Sequence, residues 1–130
     1  MSEPAMTAMS WAFYNWLHPE PVDLSADPTL IVETPDPDRD PLMDANQAIP
    51  TLMFGKYRHA LAERYPDFPL KHLSHFSFWA YPLSGGFRDW SLLPNALAPA
   101  VLKLESWLEP ILGKLLGFRL LAVMQKSGEP

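Results

Sequence analysis

The sequence predicts a mixed α/β chain, α+β as it stands, with three helices and two late antiparallel strands in one domain over residues 1–130. Three observations predict it. Leu97, Val101, Leu104, Leu108, Ile111 and Leu115 step by four and three residues, an apolar stripe at helical period. Residues 70–81 alternate instead, with Phe76, Phe78 and Ala80 on one side and His75, Ser77, Trp79 and Tyr81 on the other, the period of a strand. Phe118-Arg119-Leu120-Leu121-Ala122-Val123-Met124 is short and almost continuously apolar, which reads as a strand buried on both faces. With 130 residues, 48% of them apolar and 19% charged, the chain has enough material for one core. Its 15 prolines, where the usual ~5% would give about six or seven, exclude a single regular bundle or barrel.

Taken in order, residues 6–17 are aromatic-rich, and Met6, Met9, Phe13 and Trp16 fall at helical spacing. His18-Pro19 ends that helix, because a residue before proline leaves the α region. Residues 18–44 alternate prolines with aspartates and read as a long acidic loop, with a short extended piece at 29–33. Asp44 with Gln47 fits a variant capping box. A first turn at 45–49 then leads into a helix at about 50–64, with Pro50 near its first position and Met53, Tyr57, Ala60 and Leu61 on its buried face. After the strand at 70–81, Pro82-Leu83-Ser84-Gly85-Gly86 breaks the pattern. Asn95 caps the last helix, Pro110 kinks or splits it, and Gly117 stops it. Two strands make a poor sheet. The pair looks built for a sheet with more strands than these residues supply.

Composition excludes several functions. The formal net charge is −5, and the ten Lys and Arg residues are scattered from Arg39 to Lys126, so no basic patch serves nucleic acid. Without cysteine there are no disulfides, thiolate nucleophiles or Cys-ligated zinc. Met1-Ser2-Glu3-Pro4 does not look like a secretory leader, and no run of about 18 apolar residues spans a bilayer. A soluble, cytoplasmic protein is expected.

Several residues carry candidate chemistry, each with a plainer reading beside it. His18 and Glu20 flank a proline where a helix ends. A histidine beside a carboxylate serves as a general base, or His18 simply caps the helix while Glu20 is solvated. Asn46 and Gln47 at a helix start either orient a polar ligand or only cap. Ser84, Gly85 and Gly86, beside Tyr81 and Phe87, either let a ligand approach the backbone or form a tight turn. Trp11, Phe13, Tyr14 and Trp16 line an apolar substrate pocket or pack in the core. The Leu97 to Leu115 stripe packs in the core, and becomes a partner surface if the rest of a sheet is absent. His72 and His75 sit at odd spacing on a strand, so they face apart and make no metal pair; no metal site is expected.

Several strings resemble the C-terminal half of bacterial class I S-adenosylmethionine-dependent methyltransferases. They are Ser2-Glu3-Pro4, His18-Pro19-Glu20-Pro21-Val22-Asp23, Asp44-Ala45-Asn46-Gln47-Ala48-Ile49-Pro50, Tyr81-Pro82-Leu83-Ser84-Gly85-Gly86-Phe87 and Leu116-Gly117-Phe118-Arg119-Leu120-Leu121. The resemblance runs from about Ser2 to Lys126. It implies a doubly wound, Rossmann-like seven-stranded sheet that ends in an antiparallel hairpin. Residues 70–81 and 118–124 would be the last two strands, and Glu3-Pro4 would lie just past the fifth. It further implies methyl transfer from S-adenosylmethionine to a small acceptor, with Trp11, Tyr14, His18, Glu20, Asn46, Gln47, Tyr81, Ser84, Gly85 and Gly86 shaping the acceptor site. The family seats its cofactor on a Gly-rich turn after the first strand, with an acidic residue after the second. No Gly-x-Gly-x-x-Gly occurs in these 130 residues, so they are not expected to bind the cofactor alone. The other expectation is a non-catalytic module that associates with itself or another chain through an unfinished sheet edge and an apolar helix face.

Overall fold

The structure, a computed structural model, describes residues 1–17, 20–30, 45–85 and 90–128. His18, Asp44, Gly86 and most of the extended piece expected at 29–33 lie outside them.

Thr7 opens the first helix, α1 (Ala8–Trp16). Its backbone is extended, its hydroxyl accepts from the Ser10 amide at 3.3 Å, and Ser10 Oγ accepts from the Thr7 amide at 2.8 Å, a reciprocal cap. The face turned inward carries Ser10 and Tyr14, whereas Trp16, expected inside, is exposed. Residues 20–30 form turns. Asp23 Oδ1 accepts from the amide and hydroxyl of Ser25, and Asp27 Oδ1 from those of Thr29, so each carboxylate closes a local turn and lies below its ordinary pKa.

The single helix expected at about 50–64 is two, α2 (Ile49–Phe54) and α3 (Arg58–Arg64). The break falls at Gly55. A Cβ built there would sit 2.7 Å from the Thr51 carbonyl oxygen, so only glycine allows the chain to fold back and bring the Tyr57 amide to the Leu52 carbonyl. Pro50 sits in the first turn of α2, as expected.

The sheet has three strands rather than two. Besides β2 (Leu70–Phe76) and β3 (Arg119–Met124), a short β1 (Ser2–Pro4) pairs with β3, giving the antiparallel order β1-β3-β2. Three residues are too short to show a period, which is why β1 was not read from sequence. In register, Glu3 and His75 flank Leu120, and Leu73 faces Ala122. Ala5, Phe54, Leu120 and Ala122 form the core, with Met53, Leu61, Leu70, Leu73 and Met124 against it. α2 and its neighbours thus cover one face. On the other face of β3, Val123 is exposed and Leu121 half-buried, so the expectation of burial on both faces is corrected. Among the described residues no strand pairs with the outer edge of β1.

β2 also ends earlier than the alternation implied. Ser77 takes φ +63°, a left-handed conformation that turns the chain out of the sheet. Phe78 is then fully buried off the strand, and a single helical turn, α4 (Ala80–Leu83), follows. The last helix, α5 (Ala98–Leu116), runs through Pro110 without splitting, starts from Leu97 rather than Asn95, and ends at Gly117 as expected. The described residues therefore hold five helical segments, not three, because two of the expected boundaries depended on a glycine and a left-handed serine.

α5 lies along β2, and a Cβ built at Gly113 would come 2.3 Å from the His75 carbonyl oxygen. The side of α5 turned inward carries Glu105 and Gly113. Most of the predicted apolar stripe faces the other way: Leu97, Leu104 and Leu115 are exposed and Ile111 is 77% exposed, as is Trp107 beside them at 73%. Val101 and Leu108 are half-buried. The expectation that the stripe is core is corrected, since among the described residues no element covers that side.

Candidate functional site

Phe118 is wholly buried where the chain passes from α5 into β3, and three rings stand around it. Phe13 meets it edge-on at 5.2 Å, Tyr14 at 6.2 Å, and Tyr81 lies tilted at 5.8 Å. The Arg119 guanidinium sits 5.0 Å over the Tyr81 ring. The Tyr81 phenol and Glu20 both lie close enough to act on the Tyr14 phenol. That phenol is pushed far above its ordinary pKa, first by burial, then by Tyr81 and Glu20, with Arg119 opposing. Tyr14 is therefore a neutral hydrogen-bond donor and not a base. Two phenols, a guanidinium and a carboxylate thus gather on an aromatic floor, and no described cavity opens onto them. They supply no activated nucleophile.

The segment at 20–23 is strung between two anchors. The Glu20 amide donates to the Tyr14 carbonyl at 3.2 Å, and the Gln47 amide donates to the Pro21 carbonyl at 2.9 Å. Asn46 completes the second anchor. Its Nδ2 donates to the Asp23 carbonyl at 2.9 Å, while its Oδ1 accepts from the amides of Asp23 (2.9 Å) and Ala48 (3.0 Å). Its role here is to clamp the loop onto the start of α2. Asn46→Ala is expected to cost about 1 kcal/mol, since the bonds it breaks are open to water. A lower urea midpoint with an unchanged m-value would register it.

Of the predicted residues, Tyr14, Glu20 and Tyr81 come together, and Asn46 and Gln47 hold the loop that carries Glu20. Trp11 does not join them: it is exposed and stacks edge-on against Trp16 at 6.0 Å. Ser84 closes α4, its Oγ donating to the Tyr81 carbonyl at 2.9 Å. Gly85 has φ +78°, and a Cβ there would collide with the Trp90 carbonyl oxygen, so the space beside it is filled by the chain's own backbone. His18 and Gly86 lie outside the described residues. His72 and His75 pair with Val123 and Leu120 and face apart, and no metal-holding group occurs among the described residues. The largest open cavities among the described residues lie elsewhere. The largest described, about 560 Å³ between residues 28–30 and α3, is lined by Tyr57, Arg64 and Tyr65 among others and holds none of the predicted residues.

Sequence reading missed Phe118, Arg119 and Glu105. Arg119 had a signal, a lone charge inside an apolar strand. Glu105 had one also, since it lies off the apolar stripe on the side that turns inward. It is 2% exposed, and its Oε1 accepts from the amides of Phe78 (3.1 Å), Trp79 and Ala80 (2.7 Å) at the start of α4.

The described residues do not fit S-adenosylmethionine as the family resemblance implies it is held. β1, β2 and β3 are followed by Ala5, Ser77 and Gln125, and none opens a Gly-rich turn. No helix among the described residues is long and apolar enough to cross a membrane. No family model, curated protein or solved structure matches the chain.

Proposed function

We propose that these residues are the substrate-side portion of a class I methyltransferase-like protein, whose complete form would transfer a methyl group from S-adenosylmethionine to a small acceptor. The observation that carries the reading is the sheet. Antiparallel pairing of β2 with β3 agrees with what the resemblance implies for the last two strands, whereas Ser2-Glu3-Pro4, expected just past the fifth strand, is itself paired with β3, and among the described residues the outer edge of β1 is open. The Tyr14, Tyr81, Glu20 and Arg119 cluster would take the polar part of the acceptor. Arg119 and Tyr81, both partly exposed, would hold it by hydrogen bonds, and the buried Tyr14 and Phe118 would keep water from one side. The cofactor half would attach along β1. Sequencing of the DNA immediately upstream of the Met1 codon is expected to reveal, in frame, a Gly-rich turn after a strand and an acidic residue after the next. In-frame stop codons there, or micromolar binding of S-adenosylmethionine by the 130-residue chain in isothermal titration, would overturn the proposal.

A second reading is favoured by one observation, the exposed Leu104, Trp107, Ile111 and Leu115 on α5. In it the chain is a non-catalytic module that associates through this face and the β1 edge. Sedimentation velocity at micromolar concentration tests it. Concentration-dependent association supports the module, and a monomer at every concentration with little binding of an apolar dye rejects it.

A further inference from the structure

The structure assigns Glu105 as the positioning residue that holds α4, and through it Tyr81, against Tyr14. What the tyrosine pair is for rests on the methyltransferase reading; the positioning itself does not. The argument begins at the turn out of β2. Ser77 is held in the left-handed region, which is strained for a non-glycine residue and persists only where the surroundings fix it. The next amides, those of Phe78, Trp79 and Ala80, point out of the start of a helix and have no partner within it. α4 is a single turn, carries no fully buried residue and has no side-chain cap of its own at Trp79. Its own packing is partial, with Ala80, Tyr81 and Pro82 half-buried. All three amides converge on one oxygen, Glu105 Oε1, delivered from the buried side of α5 twenty-five or more residues away. A carboxylate is the group that takes several amides at one point. An apolar residue of like volume would leave all three amides without a partner.

Tyr81 follows directly on Ala80, the last amide held. Its phenol then reaches Tyr14 while its ring rests on Phe118 beneath Arg119. Moving the oxygen away by one methylene releases Ala80 and lets Tyr81 leave Tyr14, with α5 still in place.

The test is the coupling between Tyr14→Phe and Tyr81→Phe, measured from urea unfolding as a double-mutant cycle in three backgrounds of the 130-residue chain. In the parent, the pair is expected to be worth about fivefold in the folding equilibrium constant. Glu105→Gln keeps an acceptor oxygen in place and is expected to retain the coupling. Glu105→Asp keeps the charge but withdraws the oxygen, and the coupling is expected to fall to about onefold. The amides of Phe78, Trp79 and Ala80 should then exchange with solvent at least tenfold faster. Glu105→Ala is expected to behave as the aspartate does; should it fail to fold, the aspartate variant decides. A residue that merely stabilised the fold would weaken every member of each cycle alike and leave the coupling unchanged, and that result in Glu105→Asp overturns the assignment. Neither cofactor nor acceptor enters the measurement, so its outcome is independent of the methyltransferase reading.

Discussion

Gly113→Ala is expected to destabilise the protein by about 2 kcal/mol, although the same change should raise the helicity of an isolated α5 peptide. Two effects compete. Alanine gains roughly 1 kcal/mol over glycine inside a helix. Against this, its Cβ would sit 2.3 Å from the His75 carbonyl oxygen and 3.2 Å from its carbon, both backbone atoms of β2 that cannot rotate aside. Either α5 lifts away from the strand or the strand distorts, and overpacking of this kind costs roughly 1–3 kcal/mol. Forcing backbone apart belongs at the upper end, so the clash outweighs the propensity. Lifting α5 would also move Glu105 and the start of α4. Gly117, where a Cβ would lie 3.0 Å from the Phe76 amide and 3.1 Å from the His75 Cβ, marks the same close approach one turn on. Urea unfolding of the alanine variant, beside circular dichroism of the peptide, gives both signs. A variant more stable than the parent would show that α5 does not rest on β2 as described.

Phe118→Ala is expected to cost more, about 4 kcal/mol, or a fall in Tm on the order of 12 °C for a chain of this size. The ring is fully buried, and Phe13, Tyr14 and Tyr81 pack against it from α1 and α4. Its removal leaves a cavity that these three rings cannot all close upon, because each is fixed to its own place on α1 or α4. Phe118→Leu should cost about 1.5 kcal/mol and serves as the control for size. Thermal unfolding followed in the near ultraviolet measures both, and an alanine variant within 1 kcal/mol of the parent would mean that the cluster has no organising ring.

Some of this fold was legible in the residues. The period of Leu97 to Leu115 gave the helix, the apolar run after Gly117 gave β3, and Pro50 marked the start of α2. Periodicity tells that a helix has an apolar side, but not which neighbour lies beneath it. In α5 the two residues that look wrong for a core, Glu105 and Gly113, are the ones turned inward. Glycine gives the closeness, and the carboxylate serves amides that no sequence pattern reveals. The end of β2 was hidden for a similar reason: alternation continues through Phe78 and Ala80, while the φ of Ser77 leaves no mark in composition. In the candidate site, Tyr14, Tyr81 and Glu20 were legible as polar groups among aromatics. Their convergence on Phe118 depends on contacts between α1, α4 and the approach to β3, over separations at which one sequence carries no distance information.

The outward face of α5 has a thermodynamic consequence. Leu104, Trp107, Ile111 and Leu115 are already wet in the folded chain, so melting adds little to their hydration. The heat-capacity increment on unfolding should then fall below the value of about 1.7 kcal/mol/K usual for this length. The curve of stability against temperature becomes shallower, with its maximum less sharply defined. If the association proposed for that face occurs, calorimetry of it should find a negative heat-capacity change.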